Sequence, residues 1–152
     1  GGLSRFWNRN IKGEKACMKQ IAQPTITGCS VTWDDCGLGC ADDIRRVVTR
    51  ILQTEIQVRF YNGYGDLISG RIWPVSNQQK TELFDCLNKC SQEWGNDDYS
   101  VEVCDGYCWE MKLCAKGKCL RLIKGTVEPP PQGQVIRDMV TQIVGDDNCY
   151  VF

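Results

Sequence analysis

The sequence predicts an α+β domain: an antiparallel sheet of about four to six strands in β-α-β-β-α-β order, two main helices on one face, a short C-terminal helix and multiple disulfides. Three observations predict it. Two stretches place apolar residues at helical spacing, and the segments around them alternate apolar with polar or are rich in β-branched residues. The chain also holds eleven cysteines in 152 residues. A chain of that length buries a core without covalent help, so so many cysteines point to an oxidising compartment rather than to small size.

In order, residues 1–20 form a basic N-terminal arm carrying Arg5, Arg9, Lys12, Lys15 and Lys19. Residues 25–33 (TITGCSVTW) read as a strand from their β-branched content. Residues 41–55 (ADDIRRVVTRILQTE) put Ile44, Val47, Val48, Ile51 and Leu52 on one helical stripe, with Asp42 and Asp43 as N-cap and first-turn charge, so a helix is expected there. Residues 56–61 alternate, residues 62–66 (NGYGD) form a turn, and residues 67–75 return, which is a β-hairpin.

Residues 76–94 open on a Ser-x-x-Gln capping box and set Leu83, Leu87, Cys90 and Trp94 on one stripe, the second main helix, stopped by Gly95. Val127 to Gly133, with three consecutive prolines, is a stiff connector. Residues 134–152 then supply a short helix, from Val135, Ile136, Met139, Val140, Ile143 and Val144, and a tail. With no second-domain boundary, the whole of 1–152 reads as one domain in a split-βαβ, ferredoxin-like order.

Residues 101–122 (VEVCDGYCWEMKLCAKGKCLRL) crowd four cysteines together. Alternation puts Val101, Val103, Trp109, Met111, Leu113, Leu120 and Leu122 in the apolar sets, and Cys104, Cys108, Cys114, Cys119 and Arg121 on the opposite parity. Two consecutive hairpins follow. Cys104 then faces Cys108 across a three-residue loop, and Cys114 faces Cys119 across Ala-Lys-Gly-Lys, keeping Leu113 beside Leu120. Alternatively, these cysteines clamp the N-terminal arm and the Cys149 tail onto the sheet. The disulfide candidates are Cys17, Cys29, Cys36, Cys40, Cys86, Cys90, Cys104, Cys108, Cys114, Cys119 and Cys149. Their number is odd, so at least one thiol is left over, joins another chain or binds something else.

Composition narrows the function. The net charge of −1 argues against a dedicated nucleic-acid protein, which needs a clustered basic surface to neutralise phosphates. No apolar run reaches the roughly 20 residues of a membrane span, and no charged-then-apolar leader opens the chain, as expected of a secreted, extracellular product whose signal peptide has been cleaved. There is no histidine, which removes the commonest general base near neutral pH and the usual Ser-His-Asp and Cys-His nucleophiles. Cysteine spacings of x3, without any C-x2-C, do not match zinc knuckles. The acid pairs Asp34-Asp35, Asp42-Asp43, Asp97-Asp98 and Asp146-Asp147 sit at loops or caps, whereas a glycosidase needs two carboxyls facing across about 5–9.5 Å. No catalytic, cofactor or metal set emerges, and a small-molecule ligand is not expected. The candidate partner contact is the 62–66 turn, with Tyr64 at its tip and Asn62 and Asp66 beside it.

The run Val101-x-Val103-Cys104-x3-Cys108-Trp109-x3-Leu113-Cys114 resembles a Cys-x-x-Cys, Trp-x-x-x-Leu-Cys arrangement in the Leptosphaeria avirulence-effector structural family and its Cladosporium extracellular-protein relatives. The strand and helix order is also similar to that of the corn-smut killer toxins. These resemblances imply a secreted, non-enzymatic protein that acts by binding a host protein or being recognised by a plant immune receptor. A killer toxin against competing cells and a carboxylate-based hydrolase of wall glycans are the alternatives.

Overall fold

The computed structural model describes residues 24–102 and 105–152. The basic arm, Cys17 and Cys104 therefore lie outside the described residues. Four strands come first, β1 (Gly28–Asp35), β2 (Ile44–Ile51), β3 (Glu55–Asn62) and β4 (Leu67–Pro74), followed by α1 (Asn77–Glu93). Then come a short β5 (Asp98–Tyr99), β6 (Tyr107–Ala115), β7 (Lys118–Thr126), α2 (Gly133–Val144) and a 3-10 turn at Asp146–Asn148. They build one seven-stranded sheet in the order β4-β3-β2-β1-β6-β7-β5. Every pairing is antiparallel except β5 with β7.

The largest correction is β2. The stretch expected as the first helix is a strand: Val47, Thr49 and Ile51 are buried on one face while Arg46 and Arg50 point out. Apolar positions at 44, 47, 48 and 51 satisfy both a helical stripe and a strand, and the run of Ile, Val, Val, Thr and Ile, stiff at χ1, favours the strand. Asp43 donates its N–H to the Cys40 carbonyl at 3.0 Å, a turn rather than a helix cap. The order is therefore ββββαβββα, with seven strands, not the β-α-β-β-α-β plan. Two helices do cover one face, but the second is the C-terminal one.

That face is the core. Cys29 and Val31 of β1, Val47 and Ile51 of β2, Ile56 and Val58 of β3, and Trp109, Met111 and Leu113 of β6 pack under Leu83, Phe84, Leu87 and Cys90 of α1 and Ile136, Val140 and Val144 of α2. Helix α1 starts as its capping box requires: Gln79 N–H donates to Ser76 Oγ at 3.1 Å, and Ser76 N–H to Gln79 Oε1 at 2.9 Å. The proline connector is packed rather than extended into solvent, since Trp94 Nε1 donates to the Pro131 carbonyl at 2.7 Å.

Strands β6 and β7 form one hairpin, closed by Lys116 and Gly117, whose φ values of 52° and 79° are those of a two-residue type I′ turn. The expected four-residue loop is thus shorter. Cys114 does face Cys119, but the next pair is Leu113 with Arg121, because Leu120 bulges out of register. One extra residue reverses the faces. Leu120 and Leu122 are exposed, against expectation, and Arg121 turns inward beneath the end of α1. The expected strand at Val101 is also absent among the described residues; Val101 is exposed and tied to Thr126 Oγ1 through its N–H at 2.8 Å.

Candidate functional site

The cysteines fall into distinct environments. Cys29, Cys90 and Cys149 are buried, Cys36, Cys40 and Cys119 exposed, and Cys86, Cys108 and Cys114 intermediate. The nine described cysteines are free thiols. Burial pushes the Cys29 thiol up, and Cys114 adds to the effect. On α1, Cys86 and Cys90 stand one turn apart with sulfurs 3.8 Å from each other, and burial first, then Cys86, pushes Cys90 up to about 12. Cys114 is raised by burial and by its contact with Cys119. Such thiols are poor nucleophiles, since reactivity belongs to the thiolate. Among the described residues no three His, Cys, Asp or Glu side chains converge as a metal site.

The end of the sheet where β1 leaves and β6 enters gathers the loops. Cys36 N–H continues the β1 ladder to the Gly106 carbonyl at 2.8 Å, and Gly37 N–H donates to Asp35 Oδ1 at 2.8 Å. Arg45 reaches back from β2: its guanidinium donates to the Gly37 carbonyl and lies 3.6 Å from Asp35 Oδ2. A Cβ on either glycine would meet only the tip of a flexible side chain, Asp105 Oδ1 for Gly37 and Arg45 Nη1 for Gly39, which a small shift would clear. Between them Leu38 projects fully into solvent, 105 % exposed. This loop also holds its neighbour, because Gly63 N–H of the β3–β4 turn donates to the Ala41 carbonyl at 2.6 Å.

Of the three residues expected as partner contacts, the structure separates the roles. Tyr64 is 70 % exposed at the turn tip, and Asp66 is exposed. Asn62 is half-buried and its Oδ1 accepts from the Tyr64 and Asp66 N–H groups at 2.9 and 3.0 Å, so it shapes the turn. Sequence reasoning missed Leu38. The available signal was Cys-Gly-Leu-Gly-Cys, an apolar residue without a periodic partner held between glycines and cysteines. Around these tips the exposed acids Asp42, Asp43, Asp66 and Asp105 form no salt bridge among the described residues.

Behind the loops, on the helix side, Trp33, Tyr107 and Tyr150 line an open groove with Asp146 and Asp147 at its rim. Its aromatic wall is internally packed, with Tyr150 edge-on to both Trp33 and Phe60 at 5.1 and 5.6 Å. Tyr107 OH and Arg137 close its floor by donating to the Phe152 carbonyl. Of the acid pairs, Asp34 is held by Arg46 at 2.6 Å and Asp97 by Arg121 at 2.7 Å.

The fold and these loops define a class: a cysteine-rich α+β protein with a one-sided sheet and a loop end that presents exposed apolar side chains. No family model, curated protein or solved structure matches the chain. Its particular role therefore rests on geometry.

Proposed function

We propose that this chain is a secreted effector that acts by binding a host protein, a plant immune receptor or the target of such a receptor, rather than by catalysis. Disulfides between its cysteines would make the scaffold durable outside a cell. The observation that carries the reading is Leu38. A fully exposed leucine gains nothing from the monomer, yet Arg45, Asp35 and the Cys36 backbone tie down its loop. Loops positioned by a scaffold are where binding residues are concentrated.

The chemistry of the surface describes the partner. Leu38 and Tyr64 fit an apolar pocket, and Asp42, Asp43, Asp66 and Asp105 fit a basic rim around it. The test is Leu38→Asp, infiltrated as purified protein into leaves of a responding plant. Recognition should be lost while the unfolding midpoint stays within about 0.5 kcal/mol of wild type, as for other exposed positions. A full response from the variant would sink the reading. Growth inhibition of rival fungi without any plant response would replace it with a killer toxin.

A further inference from the structure

The root of the Leu38 loop carries a second feature. Asp34 of β1 faces Cys108 of β6, and Asp35 faces Tyr107. Cys36 extends that ladder by one rung through its bond to Gly106. Cys36 and Cys108 thus share the sheet face away from the helices, as diagonal neighbours across an antiparallel pair. Diagonal neighbours lie about 7–8 Å apart, less between Cβ atoms, and strand twist shortens one diagonal of each pair. In keeping with that proximity, Cys36 first and partial burial second push the Cys108 thiol up to about 11.

We propose that Cys36 and Cys108 form a disulfide that locks the root of the Leu38 loop onto the central strand β6. Two other neighbouring pairs among the described residues are local. Cys114 and Cys119 flank a two-residue turn, and Cys86 and Cys90 lie one helical turn apart, so neither joins distant parts of the chain. The Cys36–Cys108 bond joins the first strand to the sixth, where the loop needs a fixed base. The importance of the clamp for binding rests on the reading of Leu38 above; the existence of the bond does not.

The oxidant is the disulfide of a thiol–disulfide oxidoreductase or of oxidised glutathione. Cys36, exposed, attacks it as the thiolate, forming a mixed disulfide and releasing one thiol of the oxidant. The Cys108 thiolate then attacks the Cys36 sulfur and expels the oxidant's second thiol. Two protons leave the protein thiols and two electrons pass to the oxidant.

Full-length protein collected without reduction from a secreting eukaryotic host, alkylated at low pH and cut with trypsin and an Asp-directed protease, decides the matter. Peptide 105–112 contains Cys108 as its one cysteine, and peptide 35–41 contains Cys36 and Cys40. The expected product is 105–112 linked to 35–41, with fragmentation placing the link at Cys36. A link from 105–112 to peptide 98–104, which holds Cys104, or to Cys40, or an alkylated Cys108, overturns the proposal. For the clamp itself, Cys108→Ser should be cut by thermolysin at the Gly37–Leu38 bond about tenfold faster than wild type, because releasing a loop's base lowers its local stability. Equal rates would overturn the clamp whatever the fate of Leu38→Asp.

Discussion

Arg121→Met should cost about 2–3 kcal/mol, although strand alternation places this residue on the solvent face. The guanidinium donates to the Ser91 carbonyl at 2.9 Å, to the Trp94 carbonyl at 2.6 Å and to the Asn96 carbonyl at 2.9 Å, while Nε bonds Asp97 Oδ1 at 2.7 Å. These carbonyls lie where α1 ends and intrahelical donors run out. A cation there also opposes the negative end of the helix dipole. Each charged hydrogen bond is worth about 1.5–3 kcal/mol when fully buried. Arg121 is 26 % exposed and Asp97 69 % exposed, so the ion pair adds under about 1 kcal/mol and the freed carbonyls recover some hydration. The sum falls to about 2–3 kcal/mol, a drop in Tm of roughly 5–10 °C for a chain this size. Urea unfolding followed by tryptophan fluorescence measures it, with Trp94 buried next to the site. Arg121→Lys should retain the charge but recover less than half the loss, because a single nitrogen cannot occupy the positions from which Nε, Nη1 and Nη2 reach their acceptors. A methionine variant within about 0.5 kcal/mol of wild type would refute the bulge at Leu120 and the inward Arg121 with it.

Two further substitutions test the core. Gly125→Ala should destabilise by about 2–3 kcal/mol in the same titration, because its Cβ would lie 2.4 Å from Cζ2 of the Trp109 ring, which is 1 % exposed and held by its Nε1 bond to the Glu128 carbonyl. Thr49→Val should be neutral or stabilise by about 1 kcal/mol, since Thr49 Oγ1 is buried without a hydrogen-bond partner among the described residues and valine keeps the shape. A loss above about 1 kcal/mol for Thr49→Val would show that the hydroxyl has a partner.

What the sequence disclosed depended on how locally each element is determined. Helix α1 was legible because Ser76 and Gln79 cap each other within four residues, and the β3–β4 hairpin because its turn chemistry is local. Strand β2 was not, since Thr49 reads as polar yet is fully buried, which hides the alternation of Val47, Thr49 and Ile51. Arg121 and Leu122 were assigned to the wrong faces because a bulge at one residue leaves no trace in composition. At the candidate site, Tyr64 could be read as a turn tip. Leu38 and the proximity of Cys36 to Cys108 depend on β1 lying beside β6, a pairing between strands far apart in the chain.

Comparison with another exposed apolar feature, edge strand β4, favours the loop end as the binding surface. Leu67, Ile68 and Ile72 are all exposed along it, which in isolation suits a partner that adds a strand. Three devices oppose that. The β3–β4 register shifts between Phe60 and Tyr61, leaving Ile68 as an extra residue that bends the edge. Arg71 lies over the Trp73 ring at 4.9 Å, placing a charge on the edge, and Pro74 lacks the N–H a new strand would need. An incoming strand would therefore find few consecutive rungs before meeting a bulge, a cation or a proline. The Leu38 loop has the opposite construction, with Arg45 and Asp35 tying down a loop whose apolar side chain stands in water, so contact with a partner falls to the loops.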